Sequence, residues 1–243
     1  MDNMAAVLLA GWLVGLAKGG LGPLGVVITP LMILAMPDSP PDRAVALVLL
    51  ILIVGDWFAL YAYWRQWEAW RMRLLLLGAV VGIVPGFFLL TSQPPGLVKS
   101  IIGLIGLLMA AYTVLERRLT RIAYRPRQWH ALPAGGMSGF TSAMANAGGA
   151  PFSAYMLLQS VSPRVYVATG TLFFTTVNLM KLPLFVANGA IRLELLPAIA
   201  PGVLLVPVGV WVGKKIVDRI NWGVFAAMVW VGLVVSSVLL LAQ

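Results

Sequence analysis

The sequence predicts an all-α polytopic membrane protein of two inverted repeats, each a re-entrant glycine-rich helical hairpin followed by three transmembrane helices. Three observations predict it. Apolar residues make up 60% of the chain and charged residues only 10%, with a mean hydropathy of +0.94, far outside the range of ordinary water-soluble domains. The apolar residues fall into eight runs, at about 4 to 36, 44 to 64, 72 to 91, 97 to 115, 131 to 160, 165 to 187, 193 to 213 and 221 to 242. Of these, the first and fifth alone reach 30 residues or more, and glycine and proline break both.

The first run carries one charge, Lys18, followed by Gly19, Gly20, Gly22 and Pro23. Residues 4 to 17 as a helix reach about 21 Å, short of the roughly 30 Å hydrocarbon core, so this arm goes in partway and the segment after Pro23 returns. The next three runs have the length and apolarity of full spans. The fifth run repeats the broken pattern with Asn146, Gly148, Gly149 and Pro151, and three plain spans follow it again. A shift of 122 residues sets Pro85 on Pro207, Ala44-Val45-Ala46 on Tyr166-Val167-Ala168, Gln66 on Asn188 and Asp56 on Asn178. A shift of 124 sets Gly11 and Gly15 on Gly135 and Gly139. Residues 1–120 and 121–243 therefore read as two copies of one unit.

A net charge of +9 would suggest nucleic acid in a soluble protein; here most of the Lys and Arg lie between apolar runs, where they orient the chain, and no nucleic-acid partner is expected. If all eight runs crossed, the loops would divide these charges only 9 to 6, with Lys18 and Lys181 inside the membrane. If the first and fifth runs are hairpins, one side collects 12 of them and the other keeps Arg43, Lys99 and Arg192. A 12 to 3 split obeys the positive-inside rule and gives each repeat three spans, which inverts the second relative to the first. Both termini then lie outside the bacterial cytoplasmic membrane. The Trp- and Arg-rich stretch Trp64 to Arg73 is an anchor at the basic interface. The start, "MDNMAAVLLAGW", lacks the basic flank and cleavage site of a signal peptide. Cysteine is absent, which excludes disulfides, a thiol nucleophile and a thiolate metal site; no metal or cofactor is expected.

Re-entrant backbone is tolerated at membrane depth only where protein or a water-filled cavity satisfies its polar groups, so the two tips should face the interior and meet near the midplane. Pro23 and Pro151 are placed as first-turn prolines of the outgoing arms, which aims two helix N-termini at the meeting place and suits an anion. The candidate substrate-binding residues are Lys18, Gly19, Gly20 and Gly22 at the first tip and Asn146, Gly148 and Gly149, with Ser142 beside them, at the second. Thr175, Asn178 and Lys181 continue the path as a polar stripe on the sixth run, and Asp56 in the second is the candidate coupling carboxylate. The competing readings are glycines that only permit close packing, lysines that snorkel, and a static ion pair between Asp56 and Lys18 or Lys181. Gly136-Met137-Ser138-Gly139 resembles the G-x-S-G of rhomboid-type intramembrane proteases, but the one histidine, His130, stands at the same segment's entrance rather than on another helix, so no enzyme is expected.

With these features in hand, the chain resembles the TauE/SafE-type sulfite exporter family, also described as sulfite and organosulfonate permeases. The resemblance rests on the openings "AGWLVGLAKGGLGPLGVVITPLMIL" and "AGGMSGFTSAMANAGGAPFSAYMLL" and on "SPPDRAVAL" and "SPRVYVAT", which begin the next span of each copy. The second tip, "MANAGGAP", departs from the fuller glycine run that the family often has. The resemblance implies secondary transport of a small sulfur oxyanion or organosulfonate, coupled to H+ or Na+. A passive anion channel is the alternative, and the sequence leaves a homodimer open.

Overall fold

The computed structural model describes residues 4–19, 21–119, 127–159, 161–192, 196–216 and 222–242. Gly20, the junction expected at 120 to 121 and both chain ends lie outside the described residues. All regular structure in the described residues is helical: α1 (Met4–Lys18), α2 (Gly25–Ala35), α3 (Pro41–Ala62), α4 (Ala69–Ser92), α5 (Pro95–Leu119), α6 (Ala131–Ala145), α7 (Gly149–Leu157), α8 (Pro163–Ala187), α9 (Leu196–Ile216) and α10 (Trp222–Leu241).

Five of these, α3, α4, α5, α8 and α9, are long and apolar enough to cross a membrane. The sixth expected span corresponds to α10, whose stretch Trp230–Leu241 is apolar. Both broken runs divide as their glycines and prolines suggest. A 3-10 turn, Gly22–Leu24, separates α1 from α2, and Pro23 lies in that turn rather than in the first turn of α2. Pro151 does stand in the first turn of α7, where its missing N–H costs no helical hydrogen bond. With 15 and 11 residues in one pair and 15 and 9 in the other, none of the four short helices reaches about 30 Å. The α1–α2 pair folds back on itself: Ala5 and Ala6 near the start of α1 and Met32 and Ala35 near the end of α2 line one groove of about 250 Å³.

Glycine determines which helices can come close. Gly11, Gly15 and Gly19 bring α1 onto α9 so tightly that a Cβ on Gly11 would stand 2.0 Å from the carbonyl oxygen of Gly202. On α6, Gly135 and Gly139 lie against the backbone of Leu75 and Ala79 of α4, and on α4, Gly78 and Gly82 lie against Leu132 and Gly136 of α6, so that a Cβ on Gly82 would stand 1.9 Å from the Gly136 oxygen. Backbones can approach this far only where at least one helix presents a glycine at the contact, which is how helices associate without a hydrophobic drive between them. The first short helix of each broken run thus packs on a long helix from the other part of the chain, α1 on α9 and α6 on α4, while α3 packs on α8 and α5 on α10.

Candidate functional site

Where α3 and α8 pack together, two ionisable side chains are wholly shielded from solvent: Asp56 on α3 and Lys181 on α8 are each 0% exposed. Lys18, the last residue of α1, reaches across from the end of its short helix and forms an ion pair with Asp56 Oδ1. The other carboxylate oxygen, Oδ2, accepts from Asn178 Nδ2 at 2.7 Å. Asp56 is therefore held on both oxygens by charged or amide donors, the condition under which a buried carboxylate is tolerated.

One turn along α8, Lys181 Nζ donates to the Ser142 carbonyl at 3.0 Å, to Ser142 Oγ at 2.9 Å and to Asn146 Oδ1 at 2.8 Å. These three acceptors saturate the ammonium's three donors. All of them are uncharged. Asn146 closes α6 in the left-handed conformation, with φ at 53°, a position that asparagine tolerates better than most side chains. Its own N–H bonds back to Ser142 O and that of Ala147 to Thr141 O, so the last turn of α6 is sealed by backbone. This turns the Asn146 amide group outward: Nδ2 donates to Val45 O at 3.1 Å and to Thr29 Oγ1 at 3.3 Å.

The polar chain thus runs from Lys18 through Asp56 and Asn178, and one helical turn on from Lys181 through Ser142 and Asn146 to α2 and α3. Five of the ten candidate binding residues, with Asp56, belong to this region: Lys18, Asn146, Asn178 and Lys181 as members, and Thr175 on the same helix, buried, its hydroxyl donating to Thr171 O at 2.8 Å. The glycines divide. Gly19 packs on Val210 of α9, and Gly148 on Ser138, whose hydroxyl donates to Gly148 O at 2.6 Å. A Cβ on Gly22 or Gly149 would meet nothing within 4 Å, so close packing does not account for either. Gly20 lies outside the described residues.

The tips engage α3 at different heights. Lys18 meets it at Asp56 and Asn146 at Val45, roughly 16 Å apart along the helix axis. The polar network, rather than direct tip-to-tip contact, spans that distance. Sequence reasoning missed Thr29, whose only signal was an isolated hydroxyl in the apolar run "VVITPLMIL", and the Val45 carbonyl, which has no side-chain signal at all. Ser138 is committed to holding the second turn closed.

Spanning apolar helices around a buried, charged and amide-lined network define a polytopic membrane protein with the interior of a transporter. The family model for the sulfite exporter TauE/SafE matches residues 7–240, and the chain belongs to that family. It is a family of sulfur-anion transporters and not of enzymes. Searches of curated proteins and of solved structures each gave no match.

Proposed function

We propose that this protein is a proton-coupled secondary transporter of small sulfur-containing anions, sulfite or organosulfonates, that binds its anion between the two helical hairpins. The observation that carries this reading is the sharing of one buried region by two lysines and a single carboxylate, with both lysines tied to hairpin tips. Ionisable groups at such depth are expensive and mark substrate and ion paths. Lys18 and Lys181 attract the anion, the open space at Gly22 and at Gly149, where α7 starts, admits it, and Asp56 carries the coupling proton. Protonation of Asp56 breaks its pair with Lys18 and frees that ammonium for an anion that needs both lysines.

The hairpins are read as re-entrant, and the halves as an inverted duplication in the bacterial inner membrane with both termini outside. Support comes from the 12 to 3 charge split and from the exchanged packing of α1 on α9 and α6 on α4. The Lys18–Asp56 pair also suits a passive channel of the same architecture, because a permanent pair need not titrate. A thermal-shift screen of sulfite, thiosulfate, small organosulfonates and carboxylates tests the reading, since a ligand that binds the folded state raises apparent stability. Stabilisation by sulfur oxyanions and not by carboxylates of equal charge is the expected result, and a flat response to all of them would contradict it.

A further inference from the structure

The charges in the network do not cancel. Among the described residues the ion pairs are Lys18 with Asp56 and Arg71 with Glu68, and Lys181 is in neither. Its three acceptors are a carbonyl, a hydroxyl and an amide, which satisfy its hydrogens but bring no negative charge. With Asp56 ionised and both lysines charged, the region holds one net positive charge, its centre wholly buried at Lys181. An uncompensated charge in an apolar interior is costly, and an anion of equal and opposite charge removes that cost.

Among the described residues no other charged side chain faces this centre. Gly55, next to Asp56, has around it Val14 and the stem of Lys18 from α1, and Val206 from α9. The α6 helix brings Ser142 and Asn146, and α4 meets the same part of α8 through Phe87 against Phe185. Nearer the start of α8, α7 contributes Phe152 against Phe173. The charge of the site is therefore set by Lys18, Asp56 and Lys181.

Resting on the transporter reading above, we infer that the site is balanced for a singly charged anion such as an organosulfonate, and that a doubly charged anion binds only together with one proton, taken up by Asp56. The bound complex then has the same charge in both cases. A monoanion neutralises Lys181 and leaves the Lys18–Asp56 pair intact. A dianion needs a second positive charge, which appears when Asp56 is protonated and Lys18 loses its counter-ion. The proton comes from water and stays on the carboxyl; no covalent bond to the substrate forms. Coupling is thus a property of the substrate's charge as well as of the protein.

Titration calorimetry on the purified full-length protein, in two buffers of different protonation enthalpy, measures the proton uptake. The probes are methanesulfonate and thiosulfate, which keep charges of −1 and −2 across neutral pH. Methanesulfonate should bind without proton uptake and thiosulfate with about one proton. In Asp56→Asn thiosulfate should bind without a proton. Its affinity relative to methanesulfonate should rise by about tenfold or more, the change that one neighbouring unit charge makes to an ionic equilibrium. If Asp56→Asn does not fold, the two probes on the native protein decide alone. Equal proton uptake for both anions would overturn the inference and leave the transporter reading standing. A proton taken up with methanesulfonate would overturn it too, because Lys181 would then be neutral until an anion arrives. Binding of neither anion would sink the underlying transporter reading and this inference with it.

Discussion

Asp56 on α3 and Asn178 on α8, 122 positions apart, share a hydrogen bond of 2.7 Å. The same offset of 122 aligns the two halves of the sequence in the proposed duplication, so residues at corresponding places of the two proposed copies touch. Equivalent positions of a duplicated unit come together only near the axis that relates them. In the proposed duplication that axis is where the substrate path should cross the middle of the protein, and Asp56, the one buried carboxylate among the described residues, would stand beside it.

The Lys18–Asp56 pair should be worth more to stability than either residue alone. Lys18→Met leaves a wholly buried carboxylate with Asn178 as its remaining side-chain donor. Removing one member of a buried pair costs about 3 to 5 kcal/mol, and the 19% exposure of Lys18 favours the lower figure. Lys18→Met combined with Asp56→Asn should recover most of the loss. A thermal-unfolding double-mutant cycle in detergent measures the coupling, and additive effects would show that the pair is not maintained.

Close packing and ligand contact can be separated among the glycines. Gly82→Ala must push a Cβ against the backbone of α6 and should cost about 1 to 3 kcal/mol, whereas Gly149→Ala should stay within about 0.5 kcal/mol. If Gly149 lies at the anion site, its alanine variant should nevertheless bind thiosulfate more weakly. Unfolding midpoints together with calorimetry distinguish the two effects, and a strongly destabilised Gly149→Ala would contradict the open space around it.

Much of this was legible before any coordinates. The ends of the helices fall close to the ends of the apolar runs because in lipid every backbone polar group must be satisfied within its own helix, so a break in hydropathy is a break in structure. Asp56, Asn178 and Lys181 were visible as polar residues in otherwise apolar spans. What could not be read was the pairing. Whether Asp56 takes Lys18 or Lys181 depends on how α1 approaches α3, and that approach is fixed by glycine contacts between α1 and α9, far apart in sequence. Two glycines only three residues apart, Gly19 and Gly22, differ for the same reason: one faces the backbone of α9 and the other faces open space.

The proposed orientation makes a labelling prediction in this cysteine-free chain. Asp38 follows α2 and Asn188 follows α8, and both are exposed at the end of the molecule where Asp42 and Asn188 meet at 3.3 Å. Asp38→Cys and Asn188→Cys should react with an impermeant maleimide in intact cells, and Lys214→Cys only after lysis. Labelling of Lys214→Cys in intact cells, with protection of the other two, would reverse the topology.

Uphill transport tests the central claim most directly. Proteoliposomes containing the purified protein, with the membrane potential clamped and the outside made acid, should accumulate labelled thiosulfate above its external concentration. A protonophore should abolish the accumulation. Asp56→Asn should only exchange or equilibrate the label, at any pH gradient. Native protein that equilibrates thiosulfate without ever concentrating it would contradict proton coupling and leave a passive channel.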